Sequence, residues 1–244
     1  MSKFFHILKT QTEPAQQQML QAPVFDACAR GEISLEMYIR FLTQAYHHVK
    51  HTVPLLMACG SRLGNEYEWV RTAIAEYIDE EKGHQEWILN DIKACGGDVD
   101  AVRHNEGAGR VSASIELMVA YLYHQIDRAN PLSLFGMVWV LEGTSVGVGG
   151  NIARLVKQRL ELPDAAMTYL TSHSELDQGH IRFFESLMNN IQCVSDQEAI
   201  IRSANMVFDL YGQMLRELPL PCESMVHAGS QDLALQGVRS QYGS

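Results

Sequence analysis

"SHSELDQGHIRFFESL", residues 172–187, carries two histidines and an aspartate, His173, Asp177 and His180, spaced by four and then three residues. At about 100° per helical residue, Asp177 falls near +40° from His173 and His180 near −20°. Ala166, Tyr169, Leu170, Phe184 and Leu187 fall within about 60° of the same line. Glu175, Gln178 and Arg182 point elsewhere. The stretch therefore reads as a helix whose core face holds three hydratable groups.

Two other segments repeat this conflict. In "YIDEEKGHQEWILNDI", residues 77–92, an apolar stripe runs through Val70, Ile74, Tyr77, Ile88 and Ile92. Glu81 lies on that stripe and His84 on its shoulder, as an E-x-x-H pair. Glu80 points about 100° away, which favours Glu81. In "FGMVWVLEGTSVGVGG", residues 135–150, Glu142 shares a face with Phe135, Val138, Val146 and Ala153. It is the only charged residue between Arg128 and Arg154.

A buried carboxylate must be neutralised or it costs several kcal/mol. Taken singly, each His reads as a satisfied core histidine and each Glu as the partner of an Arg or Tyr. Taken together, three carboxylates and three imidazoles form a mixed O/N donor set suited to iron or manganese. A structural zinc site needs fewer ligands and usually thiolates. Six ligands exceed the needs of one metal with open positions, so the pattern has room for two metals as well as for the separate core readings. Ferritin-like bundles use E-x-x-H twice; here it occurs once.

Helical periodicity dominates the whole chain, and the expected fold class is all-α. Helices are predicted near 13–30, 34–62, 66–95, 112–129, 131–159, 164–191 and 196–218. The supporting punctuation is an Asn65 cap with Glu68 at N3, a Ser195–Glu198 capping box, Asn130 before Pro131, Gly96-Gly97 and the stretch around Pro163. "GTSVGVGG" is poor helix material, so it marks either a break or a close backbone approach. The domain reading is one helical unit over 1–221, followed by a weakly patterned tail over 222–244.

The 244 residues carry a formal net charge of −10, which argues against a nucleic-acid or anionic-membrane partner. No stretch reaches the roughly 18–20 apolar residues of a membrane span. The opening "MSKFFHILKT" lacks signal-peptide character, and a cytoplasmic location is expected. Five scattered cysteines, Cys28, Cys59, Cys95, Cys193 and Cys222, form no C-x-x-C and read as reduced thiols.

"EEKGH", "LEGTS" and "SHSELDQGHIRFFE", in this order, together with "RFLTQAYHHVKHTVPLLMACGSRL", resemble the heme-oxygenase-like di-metal oxidases and oxygenases, often described as iron-containing redox enzymes or TenA-like proteins. The resemblance covers about residues 14–218. It implies a single-domain seven-helix bundle and a non-heme di-iron centre, with Glu81, His84, Glu142, His173, Asp177 and His180 as ligands. Two Fe are implied, with Mn an acceptable substitute for this donor set. O2 is the implied co-substrate, with Glu81, Glu142 and His173 at the centre of the chemistry. The implied substrate is a small organic molecule such as a fatty acid or an amino-acid derivative, and the implied assembly is a homodimer.

Two relatives on the same fold supply the alternatives. One is a TenA-like thiaminase II, an aminopyrimidine hydrolase with a cysteine nucleophile, for which Cys28, Cys59 and Cys95 are the candidates. The other is a cofactorless oxidase like pyrroloquinoline-quinone synthase, to which the "YHHVKH" run lends support. In that run His47 and His51 stand one turn apart, as do His48 and His51. His47, His51, Tyr77 and Trp139 make up the expected substrate pocket. Gly143, Gly147, Gly149 and Gly150 would give an acyl or aliphatic substrate room.

Overall fold

The computed structural model describes residues 3–145 and 149–220, with the side chains of 172–180 outside the description. Among the described residues there are twelve α-helices and no strand. They are α1 (Phe4–Leu20), α2 (Pro23–Ala29), α3 (Leu35–Val49), α4 (Thr52–Arg62), α5 (Glu68–Glu81) and α6 (His84–Ala94). There follow α7 (Val99–His104), α8 (Ala113–Arg128), α9 (Leu134–Thr144), α10 (Gly150–Leu160), α11 (Thr168–Asn189) and α12 (Val194–Arg216). The all-α expectation holds, but the bundle has more helices than the expected seven because several long helices are divided.

Each division has a local cause. The 34–62 helix breaks at Lys50-His51 because Pro54 has no N–H and its ring clashes with the carbonyl four residues back, that of Lys50. The 66–95 helix breaks at Gly83, which takes a left-handed φ of 95°, a conformation that costs glycine nothing. The 13–30 helix divides at Pro23, the first residue of α2, where a missing N–H is harmless. Its upstream part begins nine residues earlier than expected, at Phe4, with Phe4, Phe5 and Leu8 buried. The 131–159 helix gives way to α9 and α10 at the glycine-rich stretch, of which 146–148 lie outside the described residues.

Two capping expectations fail. Asn65 opens a short 3-10 turn before α5, and Ser195 lies inside α12, whose N-cap is Cys193. Asn130 caps as expected, its Oδ1 accepting from Leu132 N at 2.9 Å.

The long α12 is the spine of the bundle, packing against α1, α2, α8 and α9. Its contact with α9 is close at Gly136, where an added Cβ would stand 2.5 Å from Ala204 N and 2.7 Å from Ile200 O. Helix α11 packs against α1, α6, α9 and α10. Its start is held from another helix: the buried Asp91 carboxylate of α6 accepts from Thr168 N at 3.0 Å and Tyr169 N at 2.8 Å. Those are two of the four donors that a helix start leaves without intrahelical partners. The expected tail over 222–244 lies outside the described residues.

Candidate metal and substrate site

A cavity of about 140 Å³ opens where α3, α4, α5, α9, α11 and α12 converge. Most of its lining is apolar, including Val49, Leu56, Met137, Val138, Leu141, Ile152, Leu170 and Leu215. Both expected carboxylates on described helices reach it: Glu81 at the end of α5 and Glu142 near the end of α9. The side chain of Glu81 is 12% exposed, Glu142 Oε2 is shut off from solvent, and Glu80 is exposed. The 100° argument for Glu81 over Glu80 thus agrees with where the two side chains stand.

The E-x-x-H pair is built differently from the continuous helical face read in the sequence. Glu81 is the last residue of α5 and His84 the first of α6, with Gly83 turning between them. The turn brings His84 Nδ1 to within 3.1 Å of Glu81 Oε2, to which it donates. The His84 ring is buried and packs on Trp87 at 4.1 Å between centroids. A ring that donates through Nδ1 to a carboxylate keeps its Nε2 lone pair for a metal, a common orientation for ligating histidines.

His173, Asp177 and His180 belong to α11, but their side chains lie outside the described residues. Among the described residues no group of three or more His, Cys, Asp and Glu is close enough to hold a metal ion; three of the six expected ligands are not in that set. α11 contributes Tyr169 and Leu170 to the cavity wall.

Of the expected substrate-pocket residues, Tyr77 lines this cavity, whereas His47, His51 and Trp139 do not. Helical geometry divides the histidine run: His48, about 100° round α3 from His47, faces the carboxylate cavity, while His47 and His51 line a separate one. Trp139 is a core residue. Its Nε1 donates to Thr12 Oγ1 at 3.0 Å and its ring stacks on Phe184. Of the histidine run it is His48, not the expected His47 and His51, that reaches this cavity, and sequence reasoning passed over Tyr211, whose ring meets that of His48 edge to face at 5.8 Å. Burial raises the Tyr211 pKa well above the usual phenol range, so its hydroxyl stays protonated. Heptad-like spacing of Tyr211 with Ala204 and Val207 on α12 was the available signal.

The donor chemistry fits a metal. Two carboxylates reach one apolar cavity whose lining contains no Lys or Arg among the described residues. Neither 146–148 nor 172–180 contains a Lys or Arg in the sequence.

Residues 39–212 match the family described as iron-containing redox enzyme. The chain belongs to that family. Comparison with curated proteins gives no match. Among solved structures, a domain of unknown function with a heme oxygenase-like fold from Shewanella denitrificans is similar, at 18% identity with TM-score 0.77, covering 100% of both chains. A TenA homolog from Pseudomonas syringae pv. tomato matches at 10% identity and TM-score 0.72, over 88% of this chain and 92% of that one. Heme oxygenase-1 from the cyanobacterium Synechocystis, solved in complex with heme, matches at 12% and 0.69, over 97% and 100%. These likenesses fix the heme-oxygenase-like fold of this iron-containing redox enzyme family member. No helix among its described residues is long and apolar enough to cross a membrane.

Proposed function

We propose that this chain is an O2-dependent non-heme oxidase or oxygenase with two metal ions, iron or manganese, held by Glu81, His84, Glu142, His173, Asp177 and His180. The observation that carries the reading is the meeting of Glu81 and Glu142, from separate helices, in one apolar cavity with no lysine or arginine in its described lining. Two carboxylates converging from separate helices, one of them hydrogen-bonded to His84, offer the hard O/N donors that suit iron or manganese. The cavity, at about 140 Å³, falls below the roughly 300–1,000 Å³ of drug-sized ligand pockets, which favours metal ions and a small substrate over a porphyrin.

When bound, the metals would supply O2 activation. Glu81 holds His84 by its Nδ1–H, fixing the ring that would offer Nε2 to a metal. Leu56, Met137, Leu141 and Ile152 exclude water and accept an aliphatic substrate, such as part of a fatty acid or an amino-acid derivative. The Tyr211 and His48 rings, packed edge to face, add two polar groups to the same lining.

A TenA-like hydrolase needs a reactive thiolate, which forms where the pKa is depressed. Cys28, Cys59 and Cys95 are buried, and burial raises all three, Cys59 to about 12 and Cys95 to about 11. Anaerobic reconstitution of the full chain with ferrous iron tests the proposal. About two equivalents per chain are expected, with marked loss in Glu142→Ala and in His173→Ala. Full retention by both variants refutes the ligand assignment.

A further inference from the structure

The junction between α3 and α4 sends its side chains to two places. His48, Val49 and Thr52 line the carboxylate cavity, while His47, Lys50 and His51 line a second cavity of about 190 Å³, closed on its far side by α8 and the turn at Asn105. We propose that this second cavity is a binding site for a small oxyanion, a carboxylate or a phosphate, held by the Lys50 ammonium, the His51 ring and the Asn105 side-chain amide.

Lys50 supplies the charge. It is half-buried and forms no ion pair among the described residues, whose lysine bridges involve Lys82 and Lys157. One of its protons goes to His47 Nδ1 at 3.2 Å, and its ammonium lies 5.2 Å from the centroid of the Tyr46 ring. Two donor positions of the ammonium are left over. His47 is the orienting group, because its Nε2 donates to Gly109 O at 2.7 Å and its Nδ1 accepts from Lys50.

His51 Nδ1 meets the Tyr123 hydroxyl at 3.4 Å. With that hydroxyl donating, Nε2–H is the end His51 offers. Asn105 sits in a left-handed turn and uses Oδ1 to accept from Val111 N at 2.7 Å, so its –NH2 remains for the cavity. The cradle is therefore one cation and two neutral donors, the arrangement that suits an oxyanion.

A metal cation is the wrong occupant. It would stand against the Lys50 ammonium, and His47 has both ring nitrogens in use. Burial foremost, then Lys50, lowers the His51 pKa below its usual 6.5; burial also lowers His47, with Lys50 and Arg40 adding to it against the Gly109 bond. The acid in the lining, Glu116, is exposed. On a chain of net charge −10, saturable anion uptake requires local donors of this kind.

Calorimetric titration of the full chain with sodium phosphate, and separately with sodium acetate, at fixed ionic strength tests the site. Saturable binding of one equivalent is expected, weakened at least about tenfold in Lys50→Met and in Asn105→Asp. Asn105→Asp keeps the acceptor for Val111 N on an exposed turn, so it reads the site even if Lys50→Met folds poorly. Glu116→Gln should tighten binding, and Lys93→Met, on the exposed end of α6, should leave it within about twofold. Binding of phosphate alone identifies a phosphorylated ligand, and binding of acetate a carboxylate. Absence of saturable binding by either anion, wild-type affinity in Asn105→Asp, or equal weakening by Lys93→Met overturns the proposal.

Discussion

Asp91→Ala should lower the melting temperature by about 4–8 °C at pH 7. The Asp91 carboxylate accepts the first-turn N–H groups of Thr168 and Tyr169 at 3.0 and 2.8 Å. Loss of a helix-start acceptor costs about 1–2 kcal/mol, so two give about 2–4 kcal/mol. Removing the buried carboxylate releases its own desolvation cost, which leaves about 2 kcal/mol net. At about 2–4 °C per kcal/mol for a chain of this size, the melting shift follows. Asp91→Asn keeps one accepting oxygen and should show about half the effect. Burial outweighs the opposing hydrogen bonds from Tyr169 and Thr168 and raises the Asp91 pKa above its usual 3.8. The folded chain therefore holds this proton more tightly than the unfolded chain, and the associated stability is fully present below 3.8. It is lost as pH rises through the raised value. The stability difference between wild type and Asp91→Asn should accordingly move against wild type as pH rises from about 3 to 6. Calorimetric melts across that range supply both numbers. An Asp91→Ala melt within about 1 °C of wild type refutes the claim that α6 anchors the start of α11.

Gly136→Ala should destabilise despite the better helix propensity of Ala, worth about 1 kcal/mol, because its Cβ would press on Ala204 N and Ile200 O. A net loss of about 1–2 kcal/mol by urea unfolding is expected, and a gain in stability would show that α9 and α12 can separate cheaply. Among the described cysteines only Cys193 is exposed, so in a Cys222→Ser background a disulfide reagent should label one thiol quickly in the native protein. Rapid labelling of Cys59 would contradict its burial. Asp196→Ala should cost about 2–3 kcal/mol, since its buried carboxylate accepts from Tyr67 Oη and from Asn130 Nδ2 at 2.8 Å; a chemical-denaturation midpoint equal to wild type would count against that network.

Apolar period carried most of the fold. Val70, Ile74, Tyr77, Ile88 and Ile92 are all buried as their spacing requires, and so are Phe135, Val138, Ala153, Ala166, Phe184 and Leu187. Helix breaks were harder to read because hydrophobic period continues through them. Pro54 and Gly83 were visible, but a single Pro or Gly inside a periodic run bends, breaks or is tolerated according to its tertiary surroundings; Pro14 sits within α1. Glu81 and Glu142 were recognisable from charge on an apolar stripe. The helical period separates His48 from His47 by about 100°, but nothing local marks which of the two faces meets the carboxylate cavity. Asp91 was equally hidden: its partners lie 77 and 78 residues away, and nothing local marks a carboxylate as another helix's cap.

The position of α12 sets a timetable for synthesis. The carboxylate cavity takes Tyr211 and Leu215 from this helix, and α1 packs its face against the same helix. At about 5–20 residues per second, the ribosome needs roughly 10–35 s to advance from the end of α1 to the start of α12. For that interval Met19, which packs beside Gly212 of α12, lacks its last neighbour and depends on transient cover. The cavity closes only after Leu215 has left the exit tunnel, so whatever it holds is acquired late, once α12 is in place.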